Sequence, residues 1–301
     1  MSRPARRDET LHERFAYWGY AGAQALAERL PERTGRRIFR RLGQLACTTL
    51  PGVRATVASN QSRVLGLEVD SALVQAATRE AFELYARYWL DTFRLPLLSP
   101  AEVAKRFEAI GFENIDVALE AGRGVVTVLP HLGNWDAPAT WLNLHGYRVA
   151  AVAEELKPPR LLELFVEHRE RLGIRVIPLS ATAHVGQTLA RLLSDNWLVA
   201  LVADRDLGGR GVEVEMFGTP RRLPAGPALL SLTTGAPLVA ASVVTTPDGW
   251  SCRVTQPITI ERTGEMREDV AALTRKISAE FERAISAHPT DWHMFQPGWP
   301  A

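Results

Sequence analysis

Cysteine is nearly missing from this chain of 301 residues: Cys47 and Cys252 are the whole complement. Two thiols so far apart exclude a disulfide framework and a cysteine-based zinc site, and they suit a reducing compartment. Lysine is scarce too, with only Lys105, Lys157 and Lys276 among 35 basic residues. Net charge is almost absent: 35 Lys and Arg face 34 Asp and Glu, +1 in all, so no global field recommends nucleic acid as a partner. The opening stretch MSRPARRDETLHERFAYWGY has no apolar run before Asp8, Glu9 and Glu13, which argues against a secretory signal. The best candidate for a membrane-spanning run, residues 223–244, is free of charge but broken by Pro224, Gly226, Pro227, Gly235 and Pro237. A spanning helix needs about 20 consecutive apolar residues in unbroken helix, so the expectation here is a short helix over 227–234, a turn, and a buried strand over 238–244. No internal repeat or Pro/Ser linker divides the chain, and G-x-S-x-G, the signature of a serine acyl-enzyme, does not occur.

What is present is an ordinary globular composition, 46% hydrophobic and 23% charged. Basic charge gathers at one end: residues 1–60 hold eleven arginines and five acids, +6, which leaves −5 for the rest. That region reads as helices whose apolar positions, Phe15, Trp18, Ala25 and Leu26, then Ile38, Phe39, Leu42 and Leu45, lie beside Arg36, Arg37, Arg40 and Arg41. Such helices suit either an anionic membrane surface or the edge of a core along which arginine stems can lie. Residues 71–95 form a further helix, rich in aromatics at Tyr85, Tyr88, Trp89 and Phe93, which suit helix packing or the wall of a ligand groove.

After Gly122 the texture changes. Strand-like runs at 124–129, 148–153, 176–179, 198–202, 238–244 and 252–255 alternate with helical segments at 137–144, 159–172, 185–193 and 227–234, before a last helix over 266–287. This is α/β order. The reading is a single domain, 1–301, with a helical N-terminal part (1–100) and an α/β core (101–301).

Chemistry points to VVTVLPHLGNWDAP, residues 125–138. A buried strand ends at Pro130, and His131 stands at its carboxyl end, where α/β proteins place ligand chemistry. Gly133 and Asn134 form a turn that caps the next helix. Asp136 follows His131 by five residues, and the turn lets it fold back as the carboxylate that orients the imidazole. A neutral imidazole so held can take a proton from an alcohol.

PHLGNWD after a buried strand resembles the H-x-x-x-x-D block of the lysophospholipid acyltransferase superfamily, specifically its lipid A biosynthesis acyltransferase branch. FVEHRERLGIRVIPL (165–179) resembles that branch's arginine-bearing helix, with Arg169 as the matching arginine. Residues 198–243 resemble its second block, and the likeness runs from about 79 to 299. Within the branch, ADRDL, GVEVEMFG and the tail DWHMFQPGW resemble the actinobacterial phosphatidylinositol mannoside acyltransferases.

The resemblance implies a glycerolipid acyltransferase-like fold, a central mixed β-sheet flanked by helices. It implies transfer of a palmitoyl group from acyl-CoA to the 6-hydroxyl of the 2-linked mannose of phosphatidylinositol mannosides. No metal or redox cofactor is called for, and the partners would be acyl-CoA, the glycolipid and the cytoplasmic face of the membrane. His131 would be the general base, held by Asp136. A second acid is implied, with Asp204 first, then Asp206, and Glu213 close behind. Arg169 or amides near Gly133 would meet the oxyanion, and Arg205, Arg210, Arg221 and Arg222 would meet phosphate. A thioesterase or lipase, a related transferase with another acceptor, and a lipid carrier are the competing readings.

Overall fold

The computed structural model describes residues 9–154, 156–179 and 184–299. The expectations placed on Arg3, Arg6, Arg7 and Asp8 lie outside the described residues.

Four long helices come first: α1 (Leu11–Arg29), α2 (Glu32–Thr49), α3 (Pro51–Leu65) and α4 (Ala72–Arg94). Their starts follow the local chemistry. Thr10 and Glu13 form a capping box on α1, Pro51 opens α3 where its missing N–H costs nothing, and the Ser71 hydroxyl accepts from the Val74 amide at the head of α4. Then come α5 (Pro100–Arg106), β1 (Phe107–Ile110), α6 (Glu113–Glu120), β2 (Val125–Leu129), α7 (Asp136–Leu144), β3 (Val149–Glu154), α8 (Pro159–Arg171) and β4 (Ile174–Leu179). The chain continues through α9 (Val185–Ser194), β5 (Leu198–Val202), β6 (Val212–Met216), β7 (Thr219–Leu223), α10 (Gly226–Thr234), β8 (Leu238–Thr245), β9 (Trp250–Val254) and α11 (Met266–Ala287).

Seven strands form one mixed sheet in the order β1-β9-β8-β2-β5-β3-β4, parallel throughout except for the β8–β9 pair. β2 lies at its centre, and all five of its residues are buried, as a strand covered on both faces requires. Alternate side chains sort into two layers. Val126 and Val128 of β2, Val199 and Leu201 of β5, and Leu238 and Ala240 of β8 meet α9, α10 and α11 through Leu189, Leu230, Leu273, Ile277 and Phe281. Val125 and Leu129, with Leu198, Val239 and Ala241, meet α6 and α7 on the other face through Ile115, Ala118 and Leu142.

The expected α/β order is therefore present, with the last helix at its expected bounds and the broken run 223–244 resolved into strand end, α10 and β8. Among the described residues no helix is long and apolar enough to cross a membrane. The edge strand β1 and the separate antiparallel hairpin β6–β7 are additions to the sequence reading.

The helical part joins the core through buried polar contacts. Asn60 of α3 donates to the carbonyls of Met294 and Gln296 (both 2.9 Å) and accepts from the Gly298 amide (3.0 Å), which fastens the C-terminal tail. Gly43 of α2 lies so close to α4 that a Cβ there would come within 2.5 Å of the Phe82 carbonyl oxygen.

Candidate functional site

β2 and β5 are parallel neighbours, with Leu129 opposite Val202 and the Ala203 amide donating to the Leu129 carbonyl (2.9 Å). Two residues beyond each partner of that pair stand His131 and Asp204, so sheet register alone brings them together at the carboxyl edge. The contact is tight. His131 Nδ1 lies 2.5 Å from Asp204 Oδ1, and the His131 backbone N–H donates to Oδ2 (3.0 Å). The Trp292 indole N–H donates to the same Oδ2 (2.8 Å), and the Arg221 guanidinium donates to the Asp204 carbonyl oxygen.

Asp204 has 0% exposure. Burial pushes its carboxyl up, but the His131 ring, the Arg221 charge and the Trp292 N–H outweigh that and hold it well below the usual carboxylate range. The His131 side chain keeps 20% of its surface, and with Nδ1 engaged, Nε2 is the ring nitrogen left for chemistry.

Asp136 was expected in the orienting position, and the structure corrects that. Its Oδ1 accepts from Arg169 Nε (2.9 Å), while Oδ2 is buried without a hydrogen-bond partner. Asp136 is the first residue of α7, where the Asn134 side chain accepts from the amides of Asp136 and Ala137. That helix start sends the carboxylate to α8, whereas β5 delivers Asp204 directly to the imidazole. The turn before α7 needs glycine: Gly133 has φ +58°, and a Cβ on it would come within 2.4 Å of the Val243 carbonyl oxygen. Arg169 is held as a cation because Asp136 outweighs the burial that works against its charge.

Two cavities meet at His131. The larger, about 670 Å³, runs between α9, α10 and the ends of β3 and β5, with Val152, Leu179, Val185, Leu189, Leu201 and Leu229 among its walls. The smaller, about 260 Å³, has aromatic walls from α4 (Tyr85, Tyr88, Trp89), Phe165 of α8, and His293 and Phe295 of the tail. His131, Trp135, Glu154, Arg169 and Arg205 belong to both.

The other expected site residues part company here. Asp206 lines the larger cavity but spends its carboxylate on the amides of Gly208 (3.2 Å) and Gly211 (2.6 Å), bracing its own loop. Arg205 lines both cavities and lies 3.6 Å from Glu154. Arg210 is exposed and is not among the described residues lining either cavity. Glu213 stands exposed on the β6–β7 hairpin, 3.6 Å from Arg222, because the strand alternation that buries Val214 turns it outward. Of the other arginines expected to meet phosphate, Arg221 is buried and Arg222 stands exposed, 3.6 Å from Glu213.

Two residues went unassigned in the sequence. Glu154 ends β3, which neighbours β5 in parallel, so the rule that singled out His131 could have found it. His293 is buried against Tyr85 and Tyr88 with both ring nitrogens unpartnered, and no local pattern announces that.

The sequence matches the model of the family described as bacterial lipid A biosynthesis acyltransferase over residues 3–300. It is also similar to curated proteins. The phosphatidylinositol mannoside acyltransferase of Mycobacterium tuberculosis (strain H37Rv) is 37% identical over 294 residues, covering 94% of this chain and 88% of that one. The protein of the same name from Mycolicibacterium smegmatis is 37% identical over 287 residues, covering 94% and 91%.

Proposed function

The chain belongs to the bacterial lipid A biosynthesis acyltransferase family, and we propose that it moves a palmitoyl group from acyl-CoA to the 6-hydroxyl of the 2-linked mannose of phosphatidylinositol mannosides. The observation that carries this reading is the position of His131 between an apolar cavity and an aromatic one, with Nδ1 engaged by a buried carboxylate. A transferase must bring two unlike substrates to one base, and an apolar groove suits an acyl chain as an aromatic wall suits a sugar.

In the proposed reaction the acyl chain lies along the larger cavity with its thioester carbonyl at His131. Nε2 takes the proton of the mannose hydroxyl as that oxygen attacks the carbonyl carbon, and Asp204 stabilises the imidazolium through Nδ1–H. Arg169, fixed by Asp136, is the cation nearest in kind to what an oxyanion needs. Collapse breaks the carbon–sulfur bond, the proton on Nε2 passes to the CoA thiolate, and an ester and free CoA leave. Glu154 and His293 line the acceptor side, where a sugar hydroxyl can bond to them. Arg205 is the phosphate contact of this reading, and the chemistry calls for no cofactor.

The test is a mass-resolved transfer assay with palmitoyl-CoA against phosphatidylinositol mannosides and lipid A precursors. Acylated mannoside formed by the wild type and lost in His131→Ala, with the fold retained by circular dichroism, supports the reading. Transfer only to lipid A precursors moves the acceptor. Fatty acid released at one rate with or without acceptor makes the protein a thioesterase.

The reading includes reversible attachment to the anionic cytoplasmic face of the membrane. Its support is α1, whose outer face presents Leu11, Phe15 and Trp18 at 72%, 76% and 61% exposure at helical spacing. On α2, Leu42 and Leu45 are exposed beside Arg37, Arg40 and Arg41, whereas Phe39 and Cys47 are buried and Ile38 packs partly buried beside Phe39.

A further inference from the structure

The carboxylate that holds His131 is itself held, and the residues that hold it come from outside the strands that carry the pair. Trp292 lies in the tail after α11, which doubles back beside the chain leaving β2. Leu132 and Trp292 form an antiparallel bridge, the His293 amide donates to the His131 carbonyl (2.7 Å), and the Gly133 amide donates to the Asp291 carbonyl (2.9 Å). The indole is 1% exposed, and its single N–H points at Asp204 Oδ2. Arg221, from β7, lies with its guanidinium 5.3 Å from the Trp292 ring and 5.1 Å from the Trp299 ring, and donates to the Asp204 main chain.

A bicyclic ring without the N–H, such as benzothiophene, would fill this part of the core as well as the indole does. What only the indole adds is one fixed, non-ionising donor. Without it, Oδ2 of a fully buried carboxylate would keep a single donor, the His131 amide. The stacked guanidinium supplies positive charge behind the acid without competing for Oδ1, which stays free for the imidazole.

We propose that Trp292 and Arg221 are positioning residues for the proton transfer: the indole N–H and the stacked guanidinium fix the orientation and charge of Asp204, which in turn holds His131. The inference rests on the reading of His131 as general base. It makes the C-terminal tail, remote in sequence from both members of the pair, part of the catalytic geometry.

The experiment uses the full-length protein with Trp292 replaced by β-(3-benzothienyl)alanine, which keeps the bicyclic shape and exchanges the N–H for sulfur. Trp292→Phe is made in parallel, and rates are measured with palmitoyl-CoA and phosphatidylinositol mannoside across pH. Losing a hydrogen bond to a charged group should lower kcat about tenfold, with KM for both substrates unchanged.

The pH profile gives the second readout. With one donor fewer, the carboxylate pulls harder on the imidazolium, so the neutral base is reached later and the acid limb of kcat/KM moves to higher pH, by about half a unit or more. The charged and titratable groups around the pair stay in place: Arg221 behind Asp204, His293 beside the ring, and Arg169, Arg205, Asp206 and Glu154 along the cavities. A benzothienyl variant with wild-type kcat and an unmoved acid limb overturns the proposal, as does a change confined to KM or to melting temperature. His131→Ala separates the two readings. If it stays active the general-base reading fails, and if it is dead while the benzothienyl variant is unchanged only the positioning role fails.

Discussion

Asp136 and Asp204 are both buried acids and both candidates to hold His131, and spacing along the chain favours Asp136 while register across the sheet favours Asp204. The difference predicts unlike variants. Asp204→Asn keeps an oxygen for the His131 and Trp292 N–H groups but turns its NH2 towards Nδ1, which imposes the wrong imidazole tautomer, so kcat should fall about 10³–10⁴-fold with little change in KM. Asp136→Asn instead leaves the Arg169 guanidinium buried without its carboxylate, at a cost of about 3–5 kcal/mol in stability and a smaller loss of rate. Steady-state kinetics beside thermal melts of the two proteins check this, and the opposite ranking of rates would return the orienting role to Asp136. His293 makes a separate prediction. Burial pushes its ring down to about 3, below the ordinary histidine value of about 6.5. A folded-state value below the unfolded one means stability that is complete above pH of about 6.5 and lost as pH falls towards 3. Denaturant midpoints measured through that window should decline in the wild type, and His293→Gln should flatten the decline.

The large cavity is a property of elements rather than of single residues, since α9, α10 and the ends of β3 and β5 must all stop where they do to leave it open. Ala190 lines it from α9, so Ala190→Phe adds bulk to the groove without deleting a core side chain. The expected result is a preference moved to shorter acyl-CoA, by tenfold or more in relative kcat/KM for a chain shortened by a few carbons, at about 0.8 kcal/mol per methylene. A competition assay with acyl-CoAs of graded length reads it, and an unchanged ranking would take the acyl chain out of this groove. How much of this was legible depends on the range of each signal. β2, β5 and β8 were readable because buried parallel strands are short apolar runs, and α11 because its period is long and unbroken. β1, with the burial pattern of an edge strand, and the hairpin β6–β7, where Glu213, Glu215 and Arg222 alternate with buried positions, gave no apolar run to read. His131 was legible from its strand end. Its partner was not readable from residue spacing, because strand order is a long-range fact: β5 sits beside β2 although β3 and β4 intervene in sequence.

At the scale of the whole molecule, the uneven charge of the sequence acquires a direction. Among the described residues, 9–60 carry eight arginines against four glutamates, +4, on the segment whose α1 turns Leu11, Phe15 and Trp18 outward. The opposite side of α1 carries Tyr20, which meets Trp89 and Phe165, two walls of the aromatic cavity, with ring centroids 5.8 and 4.5 Å away. One helix thus has a face suited to lipid and a face that braces the proposed acceptor cavity, which is the arrangement a glycolipid extracted from a bilayer would need. Apolar and electrostatic contributions make separable predictions. Trp18→Glu should weaken sedimentation with vesicles containing phosphatidylinositol about tenfold or more at every salt concentration, since a charge takes the place of an exposed indole proposed to enter the bilayer. Replacing Arg37, Arg40 and Arg41 by glutamine should weaken binding at low salt and leave little difference at 1 M, where screening has already removed their attraction. Transfer to a short-chain, water-soluble mannoside should survive in both variants, because neither touches His131 or either cavity lining near it. If vesicle binding is unchanged in both, the exposed face of α1 has another purpose and attachment must be sought elsewhere on the surface.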